Sequence, residues 1–236
     1  MSEVKNINTA RVDEMFKVGA HYGLSRSKRH ASTAPYIFGV KNQSEIIDLE
    51  KTDALLDKAL AFVTELGKDG KQILFLSGKN EGRDALVLAA ESVNMPHVAG
   101  RWIGGTLTNF PEIKKRIAKL DDLVKQKERG DLLKYTKKER LMIDREIESL
   151  NKLFSGIALL KDLPKALFVV DAKREHIAVE EANKMKIPVV SLCNSDCDIR
   201  DVAYPIVAND GSVASVTFFI NEIAKAYAKG KNTPKA

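Results

Sequence analysis

Residues 165–171 read KALFVVD, a short apolar run that ends in a single carboxylate. Two further runs of this kind are KQILFLSG at 71–78 and IPVVSLC at 187–193. Short segments rich in Val, Ile, Leu and Phe are typical of parallel strands that are covered on both faces. A helix-like segment follows each of the first two runs, which gives the alternation of strand and helix found in α/β folds. We therefore predict a parallel sheet with right-handed crossovers.

Helical signals lie between and around these runs. Asn80 can cap a helix that extends to Ser92, and Pro188 opens the strand that follows a helix at 174–186. The remaining expected elements are weak strands at 37–40, 46–49 and 97–99 and helices at 52–66 and 212–229.

Residues 109–154 interrupt this alternation with two charged helical patterns on either side of a turn at 130–131. Thr136 stands three residues before Glu139, which is the spacing of a capping box. Matching heptad-like seams on two helices joined by a short loop predict an antiparallel helical hairpin. The seams consist of Ile113, Ile117, Leu120 and Val124 in the first helix and Ile143, Ile147, Leu150 and Phe154 in the second.

The length of 236 residues suits one large domain with an appendage. We expect residues 1–108 and 155–230 to form the α/β body, with an N-terminal helix and a basic loop. Residues 109–154 are then an inserted hairpin, and residues 231–236 are a flexible basic tail.

The charge of the chain favours an acidic partner. The sequence has 38 Lys and Arg against 32 Asp and Glu, a net charge of +6. Residues 15–44 contain Lys17, Arg26, Lys28, Arg29 and Lys41 but no Asp or Glu. A basic segment without acidic residues attracts polyanions through long-range electrostatics.

The sequence gives no sign of membrane insertion or export. The longest purely apolar runs, such as ALVLAA at 85–90, are far shorter than the roughly 20 residues of a membrane helix. The first residues have neither an apolar signal region nor the composition of a transit peptide. We therefore expect a cytoplasmic protein with no membrane partner.

The loops that follow the strands lack the usual catalytic motifs. Residues 77–83 contain glycine and lysine but lack the GxxxxGK[ST] spacing of a phosphate loop, and no GxGxxG follows a strand. Asp171 could act as a ligand or acid, or it could cap the following helix. An alternative function is therefore a nucleotide- or phosphosugar-binding enzyme that uses Lys79, Arg83 and Asp171.

Metal binding has little support. Cys193 and Cys197 form a C-x3-C pair, and no second pair completes a zinc site. We predict no metal and no cofactor; if a metal were bound, these two thiols would be the candidates.

The segment GRWIGGTLTNF at 100–110 carries the only tryptophan of the chain. Arg101 and Trp102 could clamp or stack on RNA. Alternatively, Trp102 could be buried at the joint between body and hairpin, where the glycines allow the backbone to approach closely.

Together these stretches resemble bacterial small-subunit ribosomal protein S-two over roughly residues 10–228. No single motif decides the resemblance, which rests on the order and spacing of many. The motifs are GAHYG at 19–23, PYIFG at 35–39 with Asn42, IIDLEKT at 46–52, RWIGGTLTN at 101–109, TKKERLMIDREIESL at 136–150, LFVVD at 167–171, EHIA at 175–178, EAN at 181–183, IPVV at 187–190, YPI at 204–206 and Asn209-Asp210.

The resemblance implies a flavodoxin-like α/β body with a coiled-coil hairpin and no enzymatic activity. It implies a structural constituent of the small ribosomal subunit that binds ribosomal RNA between head and body. It also implies one copy per ribosome and contact with neighbouring small-subunit proteins. Among these neighbours is ribosomal protein S-one, which the protein would help to retain for translation. DNA is not an expected partner.

Candidate RNA-binding residues follow from the charge pattern together with this resemblance. Basic side chains would neutralise RNA phosphates, and aromatic side chains would stack or anchor. The expected phosphate partners are Arg26, Lys28, Arg29, Arg101, Lys114, Lys115, Arg116, Lys137 and Lys138, and the possible stacking or anchoring residues are His21, Tyr22 and Trp102.

Two segments, 24–34 and 194–208, depart from the pattern of the resembled family. The family usually has a second His at the position of Leu24, and an Asp-Thr-Asn-x-Asp-Pro run where this chain reads NSDCDI at 194–199. We expect altered loops there. A third hypothesis remains open, in which the hairpin is an adaptor that binds only proteins.

Overall fold

The computed structural model describes residues 9–160 and 162–233, which form seven α-helices and eight β-strands. Short 3-10 turns lie at Arg26–Lys28, Ala31–Tyr36, Asp131–Lys134 and Ser155–Ile157. In chain order the helices and strands are α1 (Thr9–Lys17), β1 (Tyr22–Ser25), β2 (Ile37–Lys41), β3 (Ser44–Ile47), α2 (Leu49–Lys68), β4 (Ile73–Ser77), α3 (Asn80–Ser92), β5 (His97–Ala99), α4 (Phe110–Glu128), α5 (Lys137–Phe154), β6 (Ala166–Val170), α6 (His176–Lys184), β7 (Val189–Cys193), β8 (Tyr204–Val207) and α7 (Val213–Lys231).

Five parallel strands form the central sheet in the order β5-β4-β6-β7-β8. Counted along the chain within this sheet, the order is 2-1-3-4-5, which is the flavodoxin-like arrangement. All residues of β4, β6 and β7 are buried. The prediction of an α/β fold on buried parallel strands is therefore confirmed.

The side chains of this sheet alternate between two apolar clusters, one on each face. Phe75 and Phe168 point to one face, where they lie edge to face at 5.5 Å and pack with residues of α1, α2, α3 and α7. Leu74 and Leu76 point to the other face and pack with residues of α4, α5 and α6. Helices cover both faces, which explains why the strands read as continuous apolar runs.

A second, antiparallel sheet holds the N-terminal strands in the order β1-β3-β2. The strand predicted at 46–49 ends at Ile47, and α2 begins at Leu49 instead of residue 52. The reason is Asp48, whose carboxylate accepts hydrogen bonds from the backbone nitrogens of Glu50 and Lys51. This cap starts the helix three residues earlier than the sequence pattern predicted.

Two other predicted helix starts also differ. Asn80 is not a cap but the first residue of α3, and the capping position belongs to Lys79. The helix predicted from residue 174 begins at His176, because residues 171–175 form a turn in which Asp171 has a φ of +68°. The Asp171 carboxylate accepts a hydrogen bond from the backbone nitrogen of Arg174, so it stabilises this turn and does not cap α6.

Helices α4 and α5 run antiparallel, with Gly130 in a left-handed conformation (φ +78°) at the turn. Ion pairs join Lys119 to Glu146 and Lys127 to Asp144 across the two helices. The predicted capping box at Thr136 is present, with the Glu139 carboxylate 2.9 Å from the backbone nitrogen of Thr136. The antiparallel packing and the turn are thus as predicted.

The apolar seam of these helices is buried mainly near the sheet. Ile113, Ile117, Leu120, Leu150 and Phe154 are buried and belong to the cluster on that face of the sheet. Toward the turn, by contrast, Val124 is 36% exposed. Coiled-coil packing along the whole hairpin, and its separate domain character, stay predictions.

The C-terminal helix α7 extends through Lys231, two residues beyond its predicted end. Lys231 is therefore helical, and the rest of the predicted basic tail extends into residues 234–236, which lie outside the described residues. Among the helices of the described residues, none combines the length and apolar character needed to cross a membrane.

Candidate nucleic-acid interface

The basic loop between β1 and β2 is folded and attached to the body. The backbone nitrogen of His30 donates to the carbonyl oxygen of Ser195 at 2.9 Å, and the backbone nitrogen of Leu24 donates to the Ser195 hydroxyl at 3.1 Å. The hydroxyl of Ser32 lies 3.4 Å from the carbonyl oxygen of Cys197. These bonds hold the loop against the segment that follows β7.

Arg26 and Lys28 lie on the exposed 3-10 turn of this loop. Within the described part of the chain, neither side chain forms an ion pair. Their charges are therefore free to attract an anion, and their binding to RNA phosphates stays a prediction.

Arg29 has a different environment from its neighbours. Its guanidinium lies 3.2 Å from the carboxylate of Glu45, which is completely buried. A buried carboxylate requires a partner, because an isolated charge in the interior is strongly unfavourable. Arg29 is thus engaged by a buried carboxylate of strand β3, and its role as a phosphate partner stays a prediction.

The aromatic candidates His21 and Tyr22 differ in exposure. The ring of His21 is buried, with the Phe16 ring stacked on it at 4.4 Å and the Tyr22 ring 4.1 Å away. Burial also lowers the pKa of His21, so the imidazole is neutral at neutral pH. Tyr22 is 53% exposed, so a nucleotide could reach its ring but not that of His21.

Trp102 is only 7% exposed, and its indole nitrogen donates to the Glu181 carboxylate at 3.1 Å. Stacking of a base on Trp102 is therefore contradicted by its burial, and the ring fills the joint between the sheet and the hairpin. Its neighbour Arg101 is exposed and forms no ion pair with any described residue.

Glu181 organises the segment that carries Arg101. Its carboxylate accepts hydrogen bonds from the backbone nitrogens of Gly105 (2.8 Å), Leu107 (3.0 Å) and Thr108 (3.2 Å) in addition to Trp102. Burial acts to raise the pKa of Glu181, but these donors outweigh it and hold the pKa below its ordinary value. In the sequence Glu181 is marked only indirectly, as the first residue of the EAN motif at 181–183.

The basic candidates of the hairpin fall into two groups. Lys114, Lys115 and Arg116 lie on the second turn of α4, whereas Lys137 and Lys138 lie at the start of α5, beside the turn of the hairpin. At 1.5 Å per residue the groups are separated by about 20 Å along the helices. All five side chains are exposed.

These side chains also differ in their partners. Lys115 pairs with Glu112 at 2.6 Å, and Lys114 lies 3.6 Å from Asp162 and over the ring of Phe110. Arg116, Lys137 and Lys138 make no ion pair with a residue that the structure describes. Exposed ion pairs are weak, so Lys114 and Lys115 can exchange a carboxylate for a phosphate.

Of the three candidate enzyme residues, the structure brings Lys79 and Asp171 together but leaves Arg83 apart from them. The Lys79 ammonium lies 2.8 Å from the Asp171 carboxylate and 2.6 Å from that of Asp210, and Asn194 donates to Asp210 at 2.7 Å. Arg83 is not part of this cluster. The carboxyl edge of the sheet, where a ligand would bind in an enzyme of this fold, is thus occupied by the protein's own ion pairs.

The pKa values of this cluster reflect its burial. Burial and the neighbouring Asp171 raise the pKa of Asp210, and the hydrogen bond from Lys79 offsets only part of that effect. For Lys79, burial acts to lower the pKa, but the two carboxylates hold it above the ordinary lysine value.

The two cysteines are buried free thiols. Contact with Cys193, together with burial, raises the pKa of the Cys197 thiol far above its ordinary value. Among the described residues no three His, Cys, Asp or Glu side chains are grouped as metal ligands. The structure therefore adds no third ligand to Cys193 and Cys197.

The fold and the surface define a class, namely flavodoxin-like α/β proteins with two antiparallel helices between β5 and β6 and with exposed basic groups. Within that class the chain belongs to the ribosomal protein S2 family, which matches residues 15–230. This is a family of structural proteins and not of enzymes.

Curated relatives cover most of the chain. The small ribosomal subunit protein uS2 of Nitratiruptor sp. is 40% identical over 218 residues, which are 92% of this chain and 82% of that protein. Its counterpart in Chloroflexus aggregans is 36% identical over 219 residues, or 93% and 92% of the two chains. The uS2 of Porphyromonas gingivalis is 38% identical over 224 residues, or 95% and 80%.

Proposed function

We propose that this protein is a structural constituent of the small ribosomal subunit and that it binds ribosomal RNA through its exposed basic side chains. The observation that carries the proposal is membership of the ribosomal protein S2 family over residues 15–230. The named relatives are themselves small ribosomal subunit proteins. The distribution of unpaired cations over the surface supports the RNA-binding part.

The contact with RNA is electrostatic in character. Arg26 and Lys28 on the N-terminal loop, and Arg116, Lys137 and Lys138 on the hairpin, are exposed and without ion-pair partners in the described structure. A phosphate that such a side chain neutralises releases condensed counterions, which makes binding favourable and dependent on salt. Contacts of this type position the protein on RNA without reading its sequence.

The separation of the basic groups suits an extended partner. About 20 Å lies between the two groups on the hairpin. A small anion cannot contact both, whereas an RNA backbone can. This favours a nucleic acid over a small phosphorylated ligand at the hairpin.

The finer points of the proposal rest on the resemblance to the family. They place the protein on ribosomal RNA between head and body, in one copy per ribosome, in the cytoplasm. They also include contact with ribosomal protein S-one, whose retention for translation this protein would assist.

The proposal can be tested by rebinding to small subunits from which the protein has been removed. Wild-type protein is expected to rebind with an affinity that falls steeply with salt, and Arg26→Ala and Lys28→Ala should each lower the slope by about one. Lys58→Ala, which removes an exposed charge from α2, is the matched control and should leave the slope unchanged. Rebinding that does not depend on salt would contradict the RNA-binding proposal.

A further inference from the structure

A cavity of about 370 Å³ lies where the hairpin returns to the sheet. One wall is helix α3, another is the edge strand β5, and the third is the end of α5 with the 3-10 turn that follows it. The polar and charged side chains around it are Arg83, Glu91, His97, Arg101, Lys152 and Ser155.

The charge of this cavity is positive. Arg83, Arg101 and Lys152 come from three different parts of the chain, and none has an ion-pair partner among residues 9–160 and 162–233. Glu91 is the single carboxylate in the lining. Burial lowers the pKa of His97 although Glu91 is nearby, so the imidazole is neutral at neutral pH. Three cations against one carboxylate leave a net charge of +2 at the cavity.

The frame of the cavity is fixed by close packing. A Cβ atom on Gly156 would overlap the carbonyl oxygen of His97 and would lie 2.8 Å from a ring carbon of the same histidine. The end of the hairpin therefore rests directly on β5. The backbone at Arg101 is anchored from the other side, because the next residue, Trp102, is buried and donates a hydrogen bond to Glu181. The three cationic side chains are thus carried by packed backbone elements that surround one space.

The cavity is open to solvent, so it can accept an anionic group that is still attached to a large molecule. Arg83, Arg101, Lys152 and Ser155 are all exposed, so the cationic wall faces solvent. Guanidinium groups match the geometry of phosphate oxygens and can bind them through paired hydrogen bonds. The Ser155 hydroxyl can donate a further hydrogen bond to the same oxygens.

We infer that this cavity binds a backbone phosphate of RNA between Arg83, Arg101 and Lys152. The inference rests on the proposed function and assigns it a particular site at the root of the hairpin. Of the three residues, Arg101 is an RNA-binding candidate from the sequence and Arg83 belongs to the alternative enzyme hypothesis, whereas nothing in the sequence pattern marks Lys152. An RNA backbone, a free nucleotide and inorganic phosphate all present a phosphate group to such a site. The experiment below distinguishes between them.

The test measures rebinding of the full-length protein to stripped small subunits over a range of salt concentrations. Arg83→Ala, Arg101→Ala and Lys152→Ala are each expected to lower the slope of log affinity against log salt by about one. Arg83→Glu should weaken binding further, since it places a carboxylate against the phosphate. Lys58→Ala is the control, and circular dichroism confirms that each variant is folded.

The possible outcomes distinguish a failure of the inference about the cavity from a failure of the proposed function. If wild-type protein does not rebind, the proposed function is wrong and the inference fails with it. If wild-type protein rebinds and the three cavity variants keep its slope, only the inference is overturned. A parallel titration with AMP and inorganic phosphate identifies the source of the phosphate. Saturation of the wild type by AMP, with unchanged rebinding of the variants, would assign the cavity to a free nucleotide and contradict the inference.

Discussion

The hydroxyl oxygen of Thr33 lies 2.7 Å from the carbonyl oxygen of Ser195, and both residues are buried. The same hydroxyl is 2.8 Å from the carbonyl oxygen of His30, so its one proton is shared between two acceptors. This contact joins segments 24–34 and 194–208, the two parts of the sequence that depart from the pattern of the resembled family. Because they are hydrogen-bonded to each other, a change in one alters the surface on which the other rests.

The Thr33 contact leads to a prediction about the attachment of the basic loop. Thr33→Val keeps the shape of the side chain but removes the donor to Ser195. The expected loss is about 1 kcal/mol in the free energy of unfolding, since the carbonyl oxygen of Ser195 keeps its bond from His30. Urea unfolding measures it, with Ser27→Ala on the exposed turn as control. Equal losses in both variants would show that the contact does not stabilise the loop.

The carboxylate of Glu181 is expected to be the strongest single support of segment 100–108. Glu181→Gln replaces one acceptor oxygen by an amide nitrogen, which cannot accept from the buried donors it faces. We expect a loss of roughly 2–3 kcal/mol in the free energy of unfolding. Fluorescence of Trp102, the only tryptophan, should shift to the red as the ring gains water. Glu180→Gln, the exposed neighbour on the same helix, should change neither quantity.

The lowered pKa of Glu181 also predicts that the stability of the fold depends on pH. Its folded-state pKa is lowered from the ordinary glutamate value of 4.5, so the ionised form is favoured in the folded protein. The resulting stability is present above pH 4.5 and is lost as the pH falls through the lower folded-state pKa. The difference in unfolding free energy between wild type and Glu181→Gln should therefore shrink below pH 4.5. A difference that grows on acidification would contradict this assignment.

Lys79 is predicted to have a structural role at the carboxyl edge of the sheet. Lys79→Met leaves the buried carboxylates of Asp171 and Asp210 without their cation, and should reduce the free energy of unfolding by about 2–4 kcal/mol. Lys173→Met removes an exposed lysine from its pair with Asp196 and should cost less than about 1 kcal/mol. Chemical denaturation measures both. Equal stability of the Lys79 variant and wild type would reopen a ligand-binding role for this edge.

Much of the fold follows from local sequence patterns. Strands β4, β6 and β7 were predictable because burial on both faces demands uninterrupted apolar residues. The capping box at Thr136 was predictable because both of its partners lie within three residues. Strands β1 and β8 were not predicted as strands, since each has only four residues and contains a glycine or a proline.

The candidate site was less predictable, because its decisive contacts join distant parts of the chain. Nothing near Arg29 indicates that it faces the buried Glu45, which lies 16 residues away. Likewise, Trp102 and Glu181 are separated by 79 residues, so the sequence left burial and RNA stacking as equal alternatives for the tryptophan. Charge and residue type identify candidates, but only the fold shows which of them are already engaged.

Sedimentation of a cell extract through a sucrose gradient shows whether the protein is part of the small ribosomal subunit. The protein is quantified by mass spectrometry across the fractions, at moderate magnesium, beside other small-subunit proteins. We expect it to travel with small subunits and with intact ribosomes at close to one copy each. If it instead remained at the top of the gradient while the other small-subunit proteins sedimented, the proposed function would be contradicted.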